Sequence, residues 1–234
     1  MKMIKLACAL TLGAALSACG ASDVVTRAAP LTNTGTTSTV IHSTNSFQQP
    51  AVRTSAETLQ AAIVQQIRVS QINVNVPASL KASEANRYYP NGDIVWREDP
   101  IGDRHAQVGK ILKDSMTAGT ASFQGPVPVI LDIQLVRFHA LSEKARYTVG
   151  GVHHVVFDMM LRDARTGEHL SKPRRIETDL EAFGGQQAKT AEARGLTQKV
   201  RLSNHLAEVI RQQMTKPEGY KNASHGFFQL VNRI

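Results

Sequence analysis

Cysteine is almost absent. The 234-residue chain has two, too few to staple a disulfide-rich mini-protein. Long apolar runs are missing as well: the one candidate, residues 6–16, is 11 residues long, well short of the roughly 20 that cross a bilayer, which excludes a polytopic membrane protein. Aromatic residues make up 5% of the chain, with a single Trp. No Gly-x-Ser-x-Gly elbow, phosphate-cradling loop, dinucleotide fingerprint or His-x-x-x-His pair occurs. What is present is 42% hydrophobic and 20% charged residues, the composition of a globular chain held by a core rather than a disordered or collagen-like one. One domain is the default expectation at this length.

Targeting explains the apolar run. Lys2 and Lys5 form a basic region, Leu6 to Leu16 an apolar one, and small residues follow, the layout of a secretory signal peptide over residues 1–18. The segment Leu16-Ser17-Ala18-Cys19-Gly20 resembles the lipobox of bacterial lipoproteins. That resemblance implies cleavage before Cys19, a diacylglycerol thioether on its sulfur and an acylated amine. Two or more chains, at ~0.8 kcal/mol per buried CH₂, anchor stably where one does not. The alternative is an ordinary signal cut beside Ala18 or Ala21, with Cys19 incidental. Cleavage removes Cys8 and lipidation consumes Cys19, leaving no thiol for disulfides or catalysis. No Asp follows Cys19 directly, so the expected address is the periplasmic face of the outer membrane. Losing Lys2 and Lys5 leaves 25 basic against 19 acidic residues, a net of +6. That surface favours anionic partners such as lipid head groups, lipopolysaccharide or glycan, and an envelope protein is the alternative partner. Nucleic acid is a poor candidate outside the cytoplasm.

Residues 19–53 are rich in Ser, Thr, Asn and Gln, with too few large apolar side chains to nucleate a core, and read as the lipidated N-terminus and a flexible tether. A folded domain is expected over 54–216. Thr54-Ser55-Ala56-Glu57 matches a capping box before a short helix to about residue 65. Ile67, Val69, Ile72, Val74 and Val76 mark a strand with a one-residue slip near Ser70. After a long connection over 78–102, Val108, Ile111, Leu112, Ser115, Met116 and Gly119 recur at helical spacing, with Gly102 or Asp103 as cap. Alternation over Val127 to Phe138 reads as a central strand, Val155 to Leu161 as a third, and Ile176 to Ala182 as a fourth with one wet face, joined through the turn Asp163 to Gly167. A single long helix is expected from about Ala191 to Thr215, burying Leu196, Val200, Leu206, Ala207, Ile210 and Met214, with Pro217 after it. Residues 217–234 read as a C-terminal tail. The order β-α-β-β-β-α predicts an α+β two-layer sandwich: a four-stranded, mainly antiparallel sheet with two helices on one face. That order resembles, at fold level only, the small domains of envelope lipoproteins that assist lipopolysaccharide assembly or lipid transport.

Few residues offer chemistry. His153 and His154 are adjacent on a strand, so they point to opposite faces and cannot both ligate one ion, and no cofactor or metal is expected. Asp93, Glu98, Asp99 and Asp103 crowd one loop and would supply the carboxylate pair of an envelope hydrolase; alternatively they bond Arg87, Arg97 and Arg104 or cap the helix. Tyr88, Tyr89 and Trp96 suit either a ligand surface or a flap pinned across the sheet. Arg194, Arg201 and His205 are expected on the outward face of the last helix. The candidate partner-binding residues are therefore Arg87, Tyr88, Tyr89, Trp96, Arg97 and Arg104.

The strings Ser83-Glu84-Ala85-Asn86-Arg87-Tyr88-Tyr89-Pro90, Asp93-Ile94-Val95-Trp96-Arg97, Asp99-Pro100, Gly102-Asp103-Arg104, Arg137-Phe138-His139-Ala140-Leu141 and Lys144-Ala145-Arg146-Tyr147 resemble an uncharacterised family of alphaproteobacterial lipoproteins known only as a domain of unknown function. The likeness covers roughly residues 66–216. It implies class and location, and no activity. Together these readings predict a non-enzymatic binding or envelope-assembly module held to the membrane by its lipid, with the acidic-loop hydrolase as the alternative.

Overall fold

A computed structural model describes residues 55–223; the expected signal peptide, the expected lipidation at Cys19 and the expected tether lie outside the described residues. Helix α1 (Ser55–Gln66) runs directly into strand β1 (Ile67–Asn75). The slip expected near Ser70 is present as a register shift between Val69 and Gln71, where Ser70 Oγ donates to Val129 O at 3.1 Å. Strand β2 (Ile94–Val95) comes next, then helix α2 (Arg104–Thr120), strand β3 (Val127–His139) and a single turn, α3 (Glu143–Arg146). Strands β4 (Gly151–Asp163) and β5 (Arg174–Ala182) form the hairpin, followed by helices α4 (Gly185–Ala193) and α5 (Gln198–Thr215). Asp103, not Gly102, caps α2, its Oδ1 accepting from Ala106 N at 3.0 Å. In the hairpin turn, Asp163 Oδ1 accepts from Arg165 N and Thr166 N, and Gly167 takes the positive φ of +76°.

The class is α+β, as expected, but the sheet has five strands rather than four. Its order is β1-β3-β4-β5, with β2 also on β3. Strand β3 is central: β1 pairs along residues 127–134 and β2 with Phe138 and His139, while β4 takes the other edge. Both β1 and β2 run parallel to β3, whereas β3-β4 and β4-β5 are antiparallel. The sheet is therefore mixed rather than mainly antiparallel, because the connection from β1 to β3 carries α2, and a helical crossover returns the chain in the same direction. Strand β2 escaped sequence reading because two residues show no period.

Alternation divides the sheet faces. Val129, Leu131, Ile133 and Leu135 of β3, Val155, Phe157 and Met159 of β4 and Ile176 of β5 are buried, most of them in one cluster with Val108, Ile111, Leu112 and Met116 of α2 and Leu206, Val209 and Ile210 of α5. The opposite face is polar. Asp132 accepts from Arg162 and Asn73, Asp158 from Arg175, and His154 Nδ1 lies 2.7 Å from Asp179 Oδ1. Helices α2 and α5 cross closely at Gly119, where a Cβ would stand 2.2 Å from Ala207 O.

The single helix expected over 191–215 is broken. Gly195 adopts φ +77°, Leu196 N donates back to Ala191 O at 2.9 Å, and Thr197 Oγ1 accepts from Val200 N to start α5. A glycine in the left-handed region ends a helix and a threonine caps the next. The break rotates the apolar seam. Leu196 and Val200, expected inside, are exposed, while Leu202 and Val209 are buried. Arg201 and His205, expected outward, turn to the sheet: His205 Nε2 lies 2.6 Å from Thr178 Oγ1, and Arg201 donates to Glu181 O. The stretch after 216 folds back on β5. Tyr220 OH lies 2.9 Å from Thr178 Oγ1, and Asn222 Oδ1 accepts from Asp179 N at 2.9 Å on the free edge of that strand.

Candidate functional site

Within the 84–104 loop, Ile94, Val95, Trp96 and Arg104 turn inward, and about half of the remaining residues are exposed. Ile94 and Val95 join the sheet, which drags Trp96 into the core, fully buried and edge-on to Phe138 with ring centroids 5.8 Å apart. Trp96 Nε1 donates to Asp99 Oδ2. Arg97 bridges Glu84 and Glu143. Arg104, buried at the start of α2, donates Nε and Nη2 to the two oxygens of Glu84 at 2.5 and 2.9 Å, and Nη1 to Asp99 O, Pro100 O and Gln107 Oε1. Trp96, Arg97 and Arg104 therefore serve the fold. Arg87, Tyr88 and Tyr89 reach the surface, with Lys144 Nζ 4.7 Å above the Tyr88 ring.

Asp93, Glu98, Asp99 and Asp103 each have a partner of their own. Asp93 Oδ2 accepts from Lys81 N, Glu98 Oε2 from Lys199 N with Arg146 at 3.4 Å, Asp99 from Lys199 Nζ, and Asp103 caps α2. Burial alone would raise Asp99, but the Lys199 ammonium and the Trp96 N–H hold it below the usual carboxylate range. The Arg104 hydrogen bond does the same for Glu84 against a weaker desolvation.

Sequence reading missed a second polar cluster. The helix break places Gln198, the first residue of α5, against His153 of β4, while Arg146 of α3, Glu192 of α4 and Arg201 close round them. His153 and Gln198 are buried, at 2% and 5% exposure, and His153 Nδ1 and Gln198 Nε2 have no hydrogen-bond partner. Gln198 Oε1 is used, accepting from Leu141 N. Arg146 Nε lies 2.9 Å from Glu192 Oε1, a charge contact without hydrogen-bond geometry. Arg201 stacks its guanidinium 3.4 Å from the Phe183 ring centroid, and among the described residues no carboxylate forms an ion pair with it. These groups line a cavity of about 10 Å³, room for one oxygen-sized atom. It shares Phe183, Ala191 and Leu196 with a groove of about 420 Å³ lined mainly by apolar surface. Burial drives the His153 imidazole down to about 3, helped by the charges of Arg201, His205 and Arg146, so the ring is neutral. The only sequence clue was Gly195 ahead of Thr197.

His153 and His154 do face opposite ways. His139 accompanies His154 on the polar face, across the β3–β4 pair, with its Nε2 2.6 Å from Gly92 O. Among the described residues no group of three His, Cys, Asp or Glu side chains is arranged to hold a metal ion, and no helix is long and apolar enough to cross a membrane.

Comparison with known proteins puts residues 67–230 on the model of DUF6778, a family of unknown function. The chain belongs to that family. The expected membership of an uncharacterised domain family is thereby met, and the DUF6778 match runs past residue 216 into the stretch that folds back on β5. No curated protein matches. Among solved structures, a provisionally named lipoprotein from Caulobacter crescentus CB15 is 13% identical, with 69% of this chain and 93% of that one covered and a TM-score of 0.32. Protein XCC0632 from Xanthomonas campestris, of family DUF330, is 11% identical over 72% and 87%, at 0.34. A PelC dodecamer from Paraburkholderia phytofirmans is 14% identical over 67% and 92%, at 0.27. Scores this low carry no argument about function.

Proposed function

We propose that this DUF6778 protein is an envelope lipoprotein, anchored through Cys19 on the periplasmic face of the outer membrane, whose α+β domain is a non-enzymatic binding or assembly module. The observation that carries the reading is the fate of the acidic loop: Asp93, Glu98, Asp99 and Asp103 are each engaged by a backbone N–H, a lysine or a helix start. Two carboxylates acting on one bond need to face each other across a substrate, so the hydrolase alternative has no support in this loop. The anchor rests on the lipobox-like Leu16-Ser17-Ala18-Cys19 behind its basic and apolar regions. The exposed Arg87, Tyr88 and Tyr89, with Lys144 beside them, remain candidates for an anionic lipid or an envelope protein.

Labelling cells with a palmitate analogue tests the anchor: wild type takes up label and Cys19→Ala does not, and an unlabelled wild type overturns it. Crosslinking in cells and flotation with anionic liposomes test the module. Arg87→Glu together with Tyr89→Ser is expected to abolish capture; unchanged capture would remove these residues from the interface.

A further inference from the structure

The cluster round His153 is unlike an ordinary core. Buried amide and imidazole groups are normally paired, yet Gln198 Nε2 and His153 Nδ1 have no partner, and both residues line one cavity. Beside them stands a guanidinium with which no carboxylate of the described residues forms an ion pair. Arg146, in contrast, has Glu98 and Glu192 within ion-pair distance. Arg201 is therefore the guanidinium at the cavity mouth that no carboxylate of the described residues contacts within ion-pair distance, the Glu181 carboxylate acting on it only through space, and Gln198 Nε2 is an unused donor beside it.

The groove that shares Phe183, Ala191 and Leu196 with the cavity is of different character. Gln186, Gln187, Thr190 and Arg194 also border it, but the surface it exposes is almost all carbon, and Leu196 is 47% exposed there. At about 420 Å³ it falls within the size range of small-ligand sites. An apolar trough ending at a desolvated cation and an unused donor is complementary to one kind of molecule.

We propose that this site binds a single anionic amphiphile, its head on Arg201 with one oxygen entering the cavity toward Gln198 Nε2 and His153 Nδ1, and its chain lying along Phe183, Ala191 and Leu196. The neutral His153 ring, whose Nδ1 has no partner, faces that oxygen across the cavity it lines. Arg201 keeps its bond to Glu181 O, which fixes the guanidinium plane against Phe183. The inference rests on the reading of the domain as a binding module and is independent of the Cys19 anchor.

The test uses the full chain carrying Cys19→Ala, titrated calorimetrically with octanoate below micelle formation. Saturable one-to-one binding is expected, with octanol and acetate at least tenfold weaker, since each supplies only half of the match. Octyl phosphate set against octanoate tells a phosphate head from a carboxylate. Arg201→Gln is expected to weaken octanoate at least tenfold and Arg201→Lys less. Leu196→Asp, on an exposed side chain, is expected to weaken it similarly with an unchanged melting curve, and decides the matter where Arg201→Gln does not fold. Octanoate binding no tighter than octanol, or binding untouched by Leu196→Asp, would overturn the proposal and leave a cavity that holds solvent. Either result leaves labelling at Cys19 unaffected, so failure here is distinguishable from failure of the anchor.

Discussion

Trp96 Nε1 donates to Asp99 Oδ2 at 2.8 Å, three residues along the same loop, and Asp99 also holds Lys199 Nζ of α5 at 2.8 Å. One carboxylate thus satisfies the only tryptophan of the chain and ties the loop to the last helix. The features that made the loop look like a site are the ones that fasten it down.

Removing that carboxylate should be felt in stability. Asp99→Ala leaves the buried indole N–H without an acceptor, at a cost of about 1–3 kcal/mol, while Asp99→Asn keeps an acceptor and costs less. Urea unfolding followed by Trp96 fluorescence measures both. Equal midpoints for the two variants and wild type would show that the bond contributes nothing.

The Glu84–Arg104 pair joins the loop to α2. Arg104 is buried and Glu84 is about half exposed, so solvent screens part of the attraction. Glu84→Gln is expected to lower stability by about 1–2 kcal/mol, because the guanidinium keeps its bonds to Asp99 O, Pro100 O and Gln107. The slope of the urea transition should stay unchanged, since the exposed area does not alter.

Gly119 sets the separation of α2 and α5. A methyl there would lie 2.2 Å from Ala207 O and 2.4 Å from Ile210 Cγ2, and neither helix can yield without disturbing the core. Gly119→Ala is expected to destabilise by about 3 kcal/mol despite the better helix propensity of alanine. A thermal melt at or above that of wild type would disprove the close crossing.

Stability should fall with mild acid. Burial lowers the folded-state pKa of His153 to about 3 from an ordinary 6.5, so below pH 6.5 the unfolded chain binds a proton the folded one refuses. The contribution is complete above pH 6.5 and lost progressively toward pH 3, amounting to about 2 kcal/mol by pH 5. His139, also lowered by burial, has the same sign. Urea midpoints at pH 7 and pH 5 in wild type and His153→Gln isolate the first ring: the variant should show the smaller drop, and identical drops would mean that His153 titrates normally.

Periodicity carried the regular elements. The alternation of Val127 to Phe138, the slip at Ser70, the Asp103 cap and the Asp163–Gly167 turn are local signals, each written in a few neighbouring residues. The break at Gly195 was equally local, but the apolar spacing across it resembled one helix. What had no local signal was direction. Arg97 and Arg104 read as partner-binding because charged side chains usually stay at the surface, and Trp96 read as either a ligand surface or a pinned flap; the pairing of Ile94 and Val95 with β3 buries Trp96, and Glu84 holds both arginines.

The amino-acid order alone determined the α+β class, the central strand and the polar outer face, because side-chain period and capping act within a turn or a strand. The tertiary structure decided the parallel pairing of β1 and β2 with β3, the use of the acidic loop as a fastener, and the meeting of His153, Gln198 and Arg201 at one cavity. Those residues come from β4 and α5, more than 40 positions apart, and burial and unpaired donors exist only once distant segments exclude water from each other.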